Sequence, residues 1–177
     1  MIDLDSPLWD SIPASCGSTG TLAAKLLRRV RDGDDSAYDE LYHQICHQFS
    51  VGAVAYIAVP HLVRIARDAA PGRRVRPLSI VGTVVAARNA YPKGAAPLRD
   101  EWRPEYFAAN QEALGLAAEL LRQLGPEPPE AQEILATIAA LHGLADLAMH
   151  LFLQGGVTEL SCPECGEPIK FVEGAED

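Results

Sequence analysis

Apolar positions recur with a helical period along most of the chain. Leu22, Leu26 and Val30 stand four apart, which predicts a helix over 19–31 with Gly33 as its stop. Tyr38, Leu41, Tyr42 and Ile45 make an i, i+3, i+4, i+7 stripe and predict a second helix over 36–47, opened by Ser36 and Asp39 as a reduced capping box. Residues 50–70 keep the helical pattern but contain Pro60, where a kink or break is expected. Further helices are predicted over 77–90, 104–124 and 130–154. Pro77 suits a first turn, Gly125 and Pro126 close the second of these, and Gly143 marks a bend in the third. Residues 157–172 change period: two short β-like runs flank Cys162-Pro-Glu-Cys165-Gly166 and predict a hairpin.

The stretches between are short. Residues 1–17 have no period and read as an arm with Trp9 as an anchor, 91–103 as a loop rich in Pro, Gly and Ala, and 126–129 (Pro-Glu-Pro-Pro) as a stiff connector. The expected organisation is an arm over 1–17, a helical domain over 18–155, and a hairpin with an acidic tail over 156–177. No strand–helix–strand alternation appears, which argues against a parallel-sheet enzyme. The expected class is all-α, with antiparallel helical hairpins arranged as an α-solenoid or an irregular bundle, and a small C-terminal β-hairpin.

Composition and charge narrow the functional classes. Aromatics are 6% of the chain, so Ala and Leu carry the apolar load and reinforce the helical reading. The net charge is −9, which disfavours a general nucleic-acid binder because phosphate contacts need basic surface. The charge is uneven, however. Residues 60–95 hold seven basic residues against Asp68 alone, whereas 100–177 hold fifteen acidic and three basic. Four cysteines in 177 residues do not make a disulfide framework. The opening Met-Ile-Asp-Leu-Asp-Ser has neither a basic nor an apolar stretch, and the longest apolar run, 51–63, is too short to span a bilayer. The expected location is therefore cytoplasmic, with no membrane partner.

One stretch carries a resemblance. Residues 58–68, Ala-Val-Pro-His-Leu-Val-Arg-Ile-Ala-Arg-Asp, are followed at 74–85 by Arg-Val-Arg-Pro-Leu-Ser-Ile-Val-Gly-Thr-Val-Val. This resembles a HEAT repeat: a proline-bearing helix, an Asp at the turn, then Val-Arg opening a second helix that carries a small residue, here Gly82. Physically, Gly82 would let neighbouring helices approach closely, Val75 would pack inward and Arg76 outward. Leu-Tyr-His-Gln-Ile-Cys-His-Gln at 41–48 is similar to uncharacterised bacterial HEAT-like proteins, some ending in a Cys-Pro-x-Cys-Gly hairpin. Where that pattern has a Gly-Thr-Val-Tyr-like turn, this chain has Phe-Ser-Val-Gly at 49–52. The resemblance implies a repeat-containing interaction protein of adaptor or immunity type and carries over no catalytic residue.

Three constellations are candidates for chemistry. Cys162 and Cys165, with Pro163 between them and Gly166 after, match a zinc knuckle. They supply two of the four ligands structural zinc takes, so two more must come from this chain or from a second copy in a dimer. His142, Asp146 and His150 stand at i, i+4, i+8 and would share one stripe of the last predicted helix. They are candidate zinc ligands or the centre of a small metal-dependent enzyme, against the plainer reading of an imidazole–carboxylate pair facing water. His43, Cys46 and His47 stand at i, i+3, i+4. A His-x-x-x-His pair can bind metal, but Gln44 stands where a His-Glu-x-x-His motif has its base; the plainer and preferred reading is helix capping, since His near a helix C-terminus complements the dipole.

The leading expectation is a protein-interaction module with no catalytic role. Arg64, Arg67, Arg73, Arg74 and Arg76 are its candidate partner-binding residues, facing an acidic partner. The plainer reading of these arginines is a solvated face, or pairing with the chain's own acids.

Overall fold

Trp9 is 1% exposed, and its indole Nε1 donates to the Asp3 carbonyl at 2.9 Å. In this computed structural model, which describes residues 1–124, 130–153, 160–161 and 168–169, the arm is thus part of the core. Leu4, Ile12 and Ala14 are buried with Trp9 in the apolar cluster that the helices share.

Seven α-helices follow among the described residues: α1 (Gly20–Arg31), α2 (Tyr38–Ile45), α3 (Ala53–Asp68), α4 (Val75–Ala90), α5 (Arg103–Leu124), α6 (Glu130–Leu141) and α7 (Ala145–Leu153). Two short antiparallel pairs complete the fold. Strand β1 (Cys46–His47) pairs with β2 (Ser50–Val51), and β3 (Leu160–Ser161) with β4 (Pro168–Ile169). The β3–β4 pair is the described part of the segment expected to form the C-terminal hairpin. Cys162 and Cys165 themselves lie outside the described residues. No described helix is long and apolar enough to cross a membrane.

Helices α3 and α4 are central. Helix α3 packs on α1, α2, α4 and α5; helix α4 packs on α2, α3, α5, α6 and α7. Pro60 sits inside α3 without ending it. A proline costs a helix roughly 3 kcal/mol, and burial of large side chains returns roughly 1.5–3 kcal/mol each. Ile57, Val59, Leu62 and Val63 are all at most 5% exposed, so packing outweighs the break expected from sequence.

Gly82 on α4 behaves as its place in the repeat pattern suggests. A Cβ added there would lie 2.7 Å from the Thr137 backbone Cα on α6. The two helices therefore meet at a point where only hydrogen fits.

Two predicted helices differ from expectation in their bounds. The second helix stops at Ile45 rather than 47, because Cys46 and His47 leave it to pair with Val51 and Ser50. Its start is also different: Asp34, not a Ser36–Asp39 box, caps the preceding 3-10 turn, accepting from the Ser36 amide at 3.1 Å. The last helical stretch is fully interrupted rather than bent. Gly143 has φ 82°, its amide donates to Ala140 O and the Leu144 amide to Ala139 O, both at 2.9 Å. This is a Schellman stop, and α7 begins anew two residues later.

Candidate functional site

The five arginines proposed from sequence face different partners. Arg64 and Arg73 line a cleft of about 320 Å³ between the arm, the end of α1 and α3. Arg67 and Arg74 reach α5 instead, at Glu112 (3.4 Å) and Glu119 (3.5 Å). Arg76 turns to α2, where it pairs with Asp39 and sits 5.6 Å from the Tyr38 ring centroid. Arg73 also has a carboxylate partner, Asp35 at 2.6 Å, and Arg67 a second one in Asp68. Arg64 alone of the five has no ion pair among the described residues. The acids that answer the basic segment are drawn from the 3-10 turn before α2, from α2 itself and from α5. Sequence reading groups these residues by composition and has no means of finding their three-dimensional partners.

His142, Asp146 and His150 lose their common stripe. His142 is the residue after α6, whereas Asp146 and His150 lie on α7, because the Gly143 stop divides what the periodicity joins. Among the described residues no group of three or more His, Cys, Asp or Glu is placed to hold a metal ion.

The feature that sequence reading misses is the corner between α2 and α3. Strands β1 and β2 are joined by only Gln48 and Phe49, both with left-handed backbone (φ 50° and 60°). A two-residue hairpin loop needs positive φ at both positions, and Asn-Gly is the usual solution. Non-glycine residues there cost roughly 1–2 kcal/mol each. Nothing in Gln-Phe signals a hairpin turn, so the sequence predicts only a break there, between helices over 36–47 and 50–70. The Phe49 ring packs 6.0 Å from that of Tyr91, which helps hold the strained turn in place.

This corner forms one end of a groove of about 560 Å³. Tyr38 and Tyr42 of α2 and Phe49 of the turn make one wall. The floor is α4, with Val75, Ser79, Ile80 and Thr83. The far side is Glu130 and Glu133 of α6 and Phe152 of α7. Burial pushes the Tyr38 phenol up to about 12. Tyr42 is raised by the same cause, with the neighbouring Cys46 thiol adding to it. Both phenols stay neutral, so the wall is aromatic and uncharged. Thr83 turns its hydroxyl back to the Ser79 carbonyl at 2.9 Å, so the floor presents Val75 and Ile80 beside Ser79.

The charges in the groove are acidic in balance. Arg76 is its one lining cation among the described residues and is committed to Asp39. Glu130 is exposed and Glu133 half-buried, and neither has an ion pair among the described residues. In chemical terms the groove can accept aromatic or aliphatic side chains on its floor and a cation at its α6 rim.

In comparisons with known proteins, no family model matches the chain, and no curated protein or solved structure was found to be similar to it.

Proposed function

We propose that the chain is a protein-interaction module whose working surface is the groove across α2, α4, α6 and α7, and that it takes a short apolar segment carrying a basic residue. One observation carries this reading: an aromatic-walled groove of mixed polar and apolar lining has two carboxylates, Glu130 and Glu133, left without a basic partner among the described residues. A half-buried carboxylate is costly unless paired, so a lysine or arginine arriving with the segment gains most there.

Helix stacking supports a HEAT-like reading of the scaffold. Helix α3 lies between α1 and α5, and α4 between α2 and α6, the order in which successive helix pairs of a solenoid would stack. The groove would then run across the second helix of each pair. This assigns the partner the charge opposite to the one expected from the arginine-rich segment. Most of those arginines already face carboxylates of the same chain, and an acidic partner would have to displace them.

The test is selection of a random peptide display library on the immobilised protein. Enriched peptides should combine Leu, Ile or aromatic residues with Lys or Arg. Their affinity should fall about ten-fold in a Glu130→Lys, Glu133→Lys variant, since loss of a charged contact costs roughly 1.5–3 kcal/mol. Enrichment of acidic peptides, with affinity lost in Arg64→Glu and unchanged in the glutamate variant, would place the working surface in the arm cleft instead.

A further inference from the structure

The two histidines at the strained corner form a pair that helix capping explains only for His43, in the last turn of α2. His43 is exposed on the last turn of α2, and His47 is half-buried on β1. Their ring centroids are 5.6 Å apart, with the planes inclined by 52°. Capping cannot account for His47, because it lies outside the helix and in a strand ladder opposite Ser50. Its Nδ1 is buried and has no hydrogen-bond partner. A buried polar atom left unpaired is costly, and in native proteins it calls for a specific cause such as a bound ion.

We propose that His43 and His47 together hold one divalent transition-metal ion of the kind imidazole prefers, such as Cu²⁺, Ni²⁺ or Zn²⁺. The geometry allows it. A metal–nitrogen bond of about 2.0–2.1 Å sets each ring centre about 3.2 Å from the ion, so two rings can share it up to a separation of about 6.4 Å. The observed 5.6 Å lies within that span, and the exposed His43 ring is free to make the final adjustment.

The local backbone holds the pair together. The left-handed Gln48 and Phe49 turn the chain back at once, and the β1–β2 ladder then fixes His47 beside the end of α2. Such strain persists where the surrounding structure enforces it, and it concentrates at ligand sites. With no third His, Cys, Asp or Glu gathered beside them among the described residues, the ion keeps positions open to water or to a donor brought by a partner. The proposed site does not depend on the groove accepting a peptide.

Copper and zinc titrations of the full chain test this, in a Cys16→Ser, Cys162→Ser, Cys165→Ser background that removes the exposed thiol of Cys16 and both cysteines of the 162–165 motif. The expected result is one Cu²⁺ per chain, with a paramagnetic resonance spectrum showing imidazole nitrogen coupling. His43→Gln and His47→Gln should each weaken binding about ten-fold or more. His43 is exposed, so His43→Gln leaves the fold intact and its circular dichroism unchanged even if His47→Gln disturbs the turn. Absence of saturation up to about 1 mM ion, or equal affinity in the His43→Gln variant, would overturn the proposal.

Discussion

Replacing Gly82 with Ala separates two opposing effects that can be sized from the structure. In an open helix the change stabilises by about 1 kcal/mol, because Ala has the higher propensity. At Gly82 the new methyl would stand 2.6 Å from Thr137 Oγ1, 2.7 Å from its Cα and 2.9 Å from its Cβ. Ordinary contact begins near 3.4 Å, and a backbone Cα cannot rotate away, so α4 and α6 must part by several tenths of an ångström. Overpacking of this kind costs about 1–3 kcal/mol. The Thr137 hydroxyl has one proton and the Glu133 carbonyl of α6 lies at 2.9 Å, closer than the Leu78 carbonyl at 3.3 Å, so the movement leaves its better bond intact. The net expectation is about 0–2 kcal/mol of destabilisation, a fall in Tm of roughly 2–4 °C for each kcal/mol. Gly115 on α5 is the internal control: it is exposed, with nothing within 4 Å of an added Cβ, so Gly115→Ala should stabilise. Denaturant unfolding of both variants against the parent reads the two signs. If Gly82→Ala is as stabilising as Gly115→Ala, the close α4–α6 contact is refuted.

Other consequences are open to simple measurement. His61 is 6% exposed with Nε2 2.9 Å from the Ile2 carbonyl, and desolvation holds its imidazole below the ordinary 6.5. The unfolded chain then binds the extra proton first, so stability present above pH 6.5 is lost as pH falls toward the lower folded value; thermal melts from pH 7.5 to 5 should show that slope, and His61→Gln should flatten it. The Cys16 thiol is exposed and lowered chiefly by its hydrogen bond with the Ser18 hydroxyl, whereas burial pushes Cys46 up to about 11. Brief alkylation of the folded protein near pH 8 should therefore modify Cys16 and spare Cys46 by peptide mass mapping; equal labelling would contradict the burial of Cys46. Gln48→Gly removes one left-handed side chain from the turn and should raise the denaturation midpoint by about 1 kcal/mol equivalent.

What is legible in the sequence follows the reach of local interactions. The helices at 19–31, 77–90 and 104–124 are found within two residues, because their caps and apolar stripes lie inside the segment itself. Gly82 is legible too, since a small residue at a repeat-like position implies a close helix approach from the chain's pattern alone. Gly143 is recognisable, but its effect is easily underestimated: whether a glycine bends or ends a helix depends on its φ, and both outcomes share one sequence. The β1–β2 corner is not legible at all. Its turn uses Gln and Phe at positions that normally require Gly or Asn, and tertiary packing overrides that local preference. The arginine-rich segment shows the limit most clearly. Its charge density is a property of sequence, but its partners, Asp35, Asp39, Glu112 and Glu119, come from elements far along the chain.

Amide chemical-shift mapping with a display-selected peptide tests the groove most directly. The expected result is a contiguous set of perturbations at Tyr42, Phe49, Ser79, Thr83 and Phe152, which come together only in the groove, with Glu133 shifting most when the peptide carries lysine. Perturbations confined to Arg64, Arg73 and the arm, with the residues of α4 and α6 that line the groove unmoved, would contradict it.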